Sequence, residues 1–234
     1  MAETLHWLEP ESLAFPPPDS ALSDPNGLLA IGGDLSAKRL VAAYSQGIFP
    51  WFNEDEPILW WSPSSRAVIP VEQLYINRSL KKLLNKKLFS VTINQAFEQV
   101  IDYCADAPFR REGTWINSTM LAAYKHLHQL GYAHSIEVWH QQNLVGGLYG
   151  VAINGFFSGE SMFYLKDNAS KFALVGLVNV LKQQGVKIID CQITNPFLTS
   201  MGCIEVSRAT FDQYRQQAML MQLPAATWQP RTIF

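Results

Sequence analysis

The stretch LVGGLYGVAINGFFSGESMF, Leu144 to Phe163, constrains the fold more than any other part of the chain. Two apolar, β-branched and aromatic runs flank Asn154 and Gly155, and Asn-Gly between such runs is the strongest short hairpin signal. The residues after the hairpin narrow the architecture. Apolar periodicity predicts a helix from about Ala169 to Gln184, stopped by Gly185, then a strand at KIID, then a helix near Phe211 to Met221. Hairpin, helix, strand, helix is an α/β (α+β) arrangement around a mixed sheet. Ahead of the hairpin, SIEVW reads as a further strand. Helices are predicted near Ser79 to Asn85, Asn94 to Ala105 and Ser118 to Leu130, the last closed by Gly131.

The front of the chain is punctuated differently. Residues 1–65 are rich in Pro, Gly and Trp and contain one clear helix, Ser36 to Gln46, with Ser36 as N-cap and Gly47 as stop. This predicts a small N-terminal domain over 1–65 and a second domain over 66–234, which 234 residues can accommodate. Hydrophobic residues make up 48% and charged ones 16%, a globular balance that excludes a disordered chain. No stretch approaches the ~20 apolar residues of a membrane span, and the start carries acids rather than a basic segment, so a cytoplasmic protein with no membrane partner is expected. Cys104, Cys191 and Cys203 cannot all pair and form no CxxC, and His126 and His128 would point to different helix faces. No metal site is therefore expected.

A net charge of −2 leaves no global field to attract nucleic acid, so such a partner needs a local basic patch. NRSLKKLLNKK supplies one. Arg78, Lys81, Lys82 and Lys86 fall at i, i+3, i+4 and i+8 on one helix face, with Leu80, Leu83 and Leu84 on the other. A single such run is usually a solvated amphipathic helix, but in a chain with few charges it stands out, and phosphate contacts to a nucleic acid need only such a patch.

The chemistry concentrates at KIIDCQITN, Lys187 to Asn195, a buried-type strand that carries Asp190 and then Gln192 and Asn195. If the strand continues that far, Asp190 and Gln192 project side by side. Glu160 lies in the apolar second strand of the hairpin, where an unpaired carboxylate is costly. Phe49, Trp51, Phe52, Trp60 and Trp61 gather in GIFPWF and WWSP, and Trp115 sits in REGTWI. Aromatics in loops suit either a core or base stacking, worth roughly 1–3 kcal/mol per base.

The element order is like that of the acetyltransferase superfamily, where one strand feeds a helix and the next splays away to leave a cleft. Coenzyme A users of that superfamily hold the pyrophosphate on a glycine-rich strand-to-helix turn. Here the turn is YLKDNAS, without glycine and with Asp167, and the GG pairs at Gly32 and Gly146 stand outside any phosphate-loop frame. PNGLLAIGGDLS, GIFPWF, ILWWSP, REGTWI, HSIEVW, VGGLYGVAI, GESMF, NASKFAL and IIDCQ in this order resemble the leucyl/phenylalanyl-tRNA protein transferase family from about Ala14 onward. The resemblance implies a small N-terminal domain and an acetyltransferase-like (GNAT-like) C-terminal domain. It implies transfer of Leu or Phe, and also Met, from aminoacyl-tRNA to N-terminal Arg or Lys of acceptor proteins, marking them for N-end rule degradation, with no cofactor. A monomer is expected.

Carried over singly, the resemblance places Trp51 and Trp115 around the 3′ adenosine, the acidic pair Glu160 and Asp190 near the acceptor, and the catalytic amide at Gln192 with Asn195 beside it. It places Phe157 in the pocket for the transferred side chain, together with Leu148, Leu177 and Leu181, where relatives carry Met or Phe. Two roles stay open for Asp190: polarising Gln192, whose amide oxygen accepts from the attacking amine, or acting by electrostatics while the tRNA hydroxyl relays the proton. A coenzyme A acetyltransferase and a noncatalytic tRNA-binding module are the alternatives. Coenzyme A binding separates the first, and the second leaves Asp190 and Gln192 idle.

Overall fold

The computed structural model describes residues 4–106 and 115–234. Short runs between prolines and glycines form four brief strands, β1 (His6–Leu8), β2 (Leu28–Gly32), β3 (Phe49–Pro50) and β4 (Leu59–Trp61), ordered β1-β2-β4-β3. Helix α1 (Ala37–Tyr44) begins where Ser36 accepts the Arg39 N–H, the predicted cap. The strands themselves were not predicted, because runs of two to five residues are too short to display a period.

The remaining elements come in chain order as β5 (Ser65–Pro70), α2 (Arg78–Asn85), β6 (Ser90–Ile93), α3 (Phe97–Ala105), α4 (Ser118–Gln129), β7 (Ala133–His140) and β8 (Asn143–Ile153). They continue as β9 (Phe156–Tyr164), α5 (Ala169–Gln183), β10 (Ile188–Gln192), α6 (Pro196–Ser200), β11 (Ile204–Ser207), α7 (Arg208–Met219) and β12 (Arg231–Thr232). Eight of the strands form a second mixed sheet, β11-β5-β10-β9-β8-β7-β6-β12, in which only the β9–β10 pairing is parallel.

The predicted hairpin is β8–β9, with Asn154 at φ +53° in the turn. Gly155 donates its N–H to Ala218 O at 3.0 Å, and a Cβ there would lie 2.7 Å from Met221 Sδ, so the turn docks on the end of α7 only with glycine. Two helices start away from their expected positions. Asn94, expected to open α3, takes φ +53° and accepts the Ser135 N–H at 2.9 Å, which ties it to the sheet and delays the helix to Phe97. Helix α7 starts early, at Arg208, because Ser207 caps it through the Thr210 N–H.

Alternation along β8 divides the interior. Leu148 joins Phe172, Leu174 and Leu177 of α5 on one face, while Tyr149 joins Phe97 of α3 and Tyr124 of α4 on the other. That second cluster also contains Leu40, Tyr44 and Trp60 of the N-terminal region, so the small sheet and the large one bury their apolar side chains in a common core. The expected boundary at 65/66 falls at the first residues of β5, which is a strand of the large sheet. Among the described residues no helix is long and apolar enough to cross a membrane.

Candidate active site

Parallel β9 and β10 share one paired position, Asp190 with Ser158, and then separate. Both strands carry an extra residue there. On β9, Gly159 pairs with Gly150 and Ser161 with Tyr149, leaving Glu160 unpaired; on β10, Asp190 pairs with Val68 and Gln192 with Ala67, leaving Cys191 unpaired. Gln192 itself takes φ +55°. A bulge breaks the two-residue alternation, so the expected side-by-side projection of Asp190 and Gln192 does not occur. Gly150 makes room for the β9 bulge, since a Cβ there would sit 2.3 Å from Ser158 O.

Asp190 instead points into the protein, where it is fully buried. Arg66 of β5 grips it with Nε to Oδ1 at 2.7 Å and Nη2 to Oδ2 at 2.8 Å, a bidentate pair. The guanidinium is itself held between the rings of Phe49 and Phe211, 4.7 and 4.6 Å from their centroids. Ser158 Oγ donates to Asp190 Oδ2 at 2.9 Å, and the Gln192 backbone N–H donates to Oδ1 at 3.1 Å. The Gln192 amide nitrogen donates to Ser158 Oγ at 2.9 Å and to Glu160 Oε1 at 3.1 Å. Tyr124 Oη donates to Glu160 Oε2 at 3.1 Å and is bonded in turn to the Tyr44 hydroxyl. A continuous polar chain therefore runs from α1 to β5 beneath the cleft. Burial pushes the Glu160 carboxyl up to about 7, with the Asp190 charge adding to it and the tyrosine hydroxyls and Arg66 opposing.

Above this chain lies a cavity of about 430 Å³. Leu148, Met162, Leu174, Leu177, Ile189 and Leu198 give it apolar lining; Glu160, Gln192, Thr194 and Asn195 supply polar groups. Trp51 and Trp115, from well-separated parts of the chain, both line it. Trp51 is 44% exposed and rests tilted against Trp61, their centroids 5.7 Å apart. Residues 111–114 of the REGTWI stretch lie outside the described residues. Asn195 caps α6 by accepting the Leu198 N–H at 2.9 Å.

Three expected residues are not brought to the cavity. Asp190 is turned away by the bulge. Phe157 lies nearer the hairpin turn, its ring over Gly150 and stacked 5.6 Å from Trp228. Leu181 is one helical turn beyond Leu177, buried where Val186 closes the end of α5. On α2 and its C-cap the side chains of Arg78, Lys81, Lys82 and Lys86 are exposed while Leu80 is buried, and the segment before α2 is tied to the end of α6 by the Tyr75 N–H donating to Met201 O at 2.9 Å. Sequence reasoning missed Arg66, Ser158, Tyr44 and Tyr124. The signal for Arg66 was a cation heading the apolar run AVI, and for Ser158 its place two residues before Glu160; the tyrosines gave none.

A family model described as leucyl/phenylalanyl-tRNA protein transferase matches residues 68–216, and one for the N-terminal domain of that family matches residues 33–64. A protein named leucyl/phenylalanyl-tRNA–protein transferase from Colwellia psychrerythraea is 56% identical over 238 residues, covering 100% of this chain and 99% of that protein. One of the same name from Erwinia tasmaniensis is 49% identical, covering 98% and 99%. Among solved structures, FemX aligns with 10% identity and a TM-score of 0.48, covering 73% of this chain and 66% of that one. With a match across more than half its length and full-length relatives near half identity, the chain belongs to the leucyl/phenylalanyl-tRNA protein transferase family.

Proposed function

We propose that the chain is an aminoacyltransferase that moves Leu, Phe or Met from aminoacyl-tRNA to the α-amine of an N-terminal Arg or Lys, marking the acceptor protein for N-end rule degradation. The observation that carries this reading is the cavity itself, lined by six aliphatic side chains, by an amide held through two hydrogen bonds and a carboxylate, and by two tryptophans. An aminoacyl ester is already activated, so the protein has chiefly to hold the amine in line and let it lose one proton as it attacks. The new bond joins the amine nitrogen to the aminoacyl carbonyl carbon; the bond that breaks is the ester C–O. The 3′ oxygen of the tRNA leaves with the proton.

Each part of the site has a task in this reaction. Trp51 and Trp115 offer faces to the terminal adenosine, and the apolar lining takes the transferred side chain while excluding charged ones by their desolvation cost. Gln192 accepts a hydrogen bond from the attacking amine through its carbonyl oxygen and so aligns it, the proton itself passing to the leaving 3′ oxygen, and Glu160 attracts the cationic acceptor residue. Asp190, already paired with Arg66, supports Gln192 from below rather than meeting substrate. The exposed face of α2 meets tRNA phosphates. Separation of β9 from β10 after a single pairing supports an acetyltransferase-like fold for residues 66–234, and the reading takes the protein as a cytoplasmic monomer. Transfer of radiolabelled Leu from charged tRNA to a model protein beginning with Arg, compared with one beginning with Glu, tests the reading. Label on the first alone is expected; label on neither overturns it.

A further inference from the structure

The resemblance assigns no role to Ser158, yet this residue stands between the buried ion pair and the amide that faces the cavity. It is fully buried. A serine hydroxyl has a single hydrogen, so the partner that takes it fixes what the oxygen presents to the next. Arg66 occupies Asp190 with two N–H donors, and Asp190 accepts the Ser158 hydrogen at 2.9 Å. The lone pairs of Oγ are then what Gln192 meets, 2.9 Å away, and only a nitrogen can be placed there.

We propose that Ser158 is a positioning residue for the transfer reaction, setting the rotation of the Gln192 amide so that its carbonyl oxygen, and not its NH2, faces the attacking amine. This rests on the transferase reading of the site. Asp190 reaches Gln192 directly only at the backbone N–H, so any influence on the amide group passes through the serine. The flipped amide would set N–H against N–H at the acceptor amine and oxygen against oxygen at Ser158.

Glu160 Oε1 also accepts from the same amide nitrogen, at 3.1 Å, but it is a conditional guide. Its carboxyl is pushed up to about 7, so below that pH it carries a proton that it can donate to an oxygen, and it ceases to penalise the flip. The donor order imposed through Ser158 involves no titration in this range. Loss of the serine therefore has a pH signature that loss of packing lacks.

The test is transfer to an Arg-initiated acceptor by the full chain, wild type against Ser158→Ala and Ser158→Cys, at pH 6 and pH 8. Removing one of the two bonds that hold the amide should lower kcat by roughly 2- to 10-fold, the range expected for one neutral hydrogen bond. The loss should be greater at pH 6 than at pH 8, with KM for aminoacyl-tRNA unchanged. Ser158→Cys, which keeps a weaker donor and acceptor in the same place, should recover part of kcat at pH 6. Should Ser158→Ala not fold, the Cys variant alone must still lose more kcat at pH 6 than at pH 8. An unchanged kcat, or a loss equal at both pH values, overturns the proposal while leaving the function reading intact. A wild type that transfers nothing takes both down.

Discussion

Glu160 sits at the extra position of a bulge, with a tyrosine hydroxyl on one oxygen and the Gln192 amide on the other. Folding moves its carboxyl from an ordinary value near 4.5 up to about 7, so the native state favours the protonated form. The stability this group contributes is fully present below about 4.5 and is lost as pH rises through about 7. Glu160→Gln should accordingly flatten the fall in Tm across that window, as thermal unfolding at several pH values will show. The same titration brings negative charge to the cavity, so KM for an Arg-initiated acceptor should decrease between pH 6 and pH 8 in the wild type but not in the variant. In the proposed reaction, selection of the transferred side chain also rests on single residues. Leu148, Met162, Leu174, Leu177, Ile189 and Leu198 offer shape and no hydrogen bond, and one methylene in such a pocket is worth only ~1–3 kcal/mol. One tRNA body charged in turn with Leu, Phe, Met, Ile and Val should transfer the first three readily and the two Cβ-branched residues more slowly. Transfer of Ile as fast as Leu would remove these residues from the pocket.

At the scale of elements, α2 offers four cations on one exposed face and anchors itself with Leu80. Phosphate contacts carry no sequence information, so Lys81→Ala with Lys82→Ala should weaken binding of all charged tRNAs alike and reduce the log–log salt slope by about 1.5–2. Filter binding across a salt series measures it, and an unchanged slope returns α2 to a merely solvated helix. The hairpin, α1, α4 and α5 were legible in the sequence because caps, a two-residue turn and 3.6-residue periodicity are local signals. So were Asp190, Gln192 and Glu160, as polar groups inside apolar strands. The bulges were not, since each is a mismatch in residue count between two strands and neither strand contains it alone. Arg66 stayed hidden for the same reason, its partner lying 124 residues away across the sheet. Phe157 and Leu181 show the converse: the resemblance transfers residue positions, but not which apolar side chains reach the cavity and which lie a layer behind it.

For the molecule as a whole, the shared core is decisive. Trp60, Tyr44 and Leu40 bury themselves with Phe97, Tyr124 and Phe163, so the small sheet cannot come away without exposing the α3–α4 face of the large one. Calorimetry should therefore record a single unfolding transition with equal calorimetric and van't Hoff enthalpies, and a chain beginning at Ser65 should fail to fold; two transitions would show separable domains. The same topology gives β5 a history. As the polypeptide leaves the ribosome, β5 emerges long before β10 and β11, the two strands it pairs with, and Arg66 waits through 124 residues of synthesis for its carboxylate. The cleft is thus among the last features to assemble on a nascent chain, and a half-made copy carries the basic face of α2 without the amide of Gln192 that completes the site.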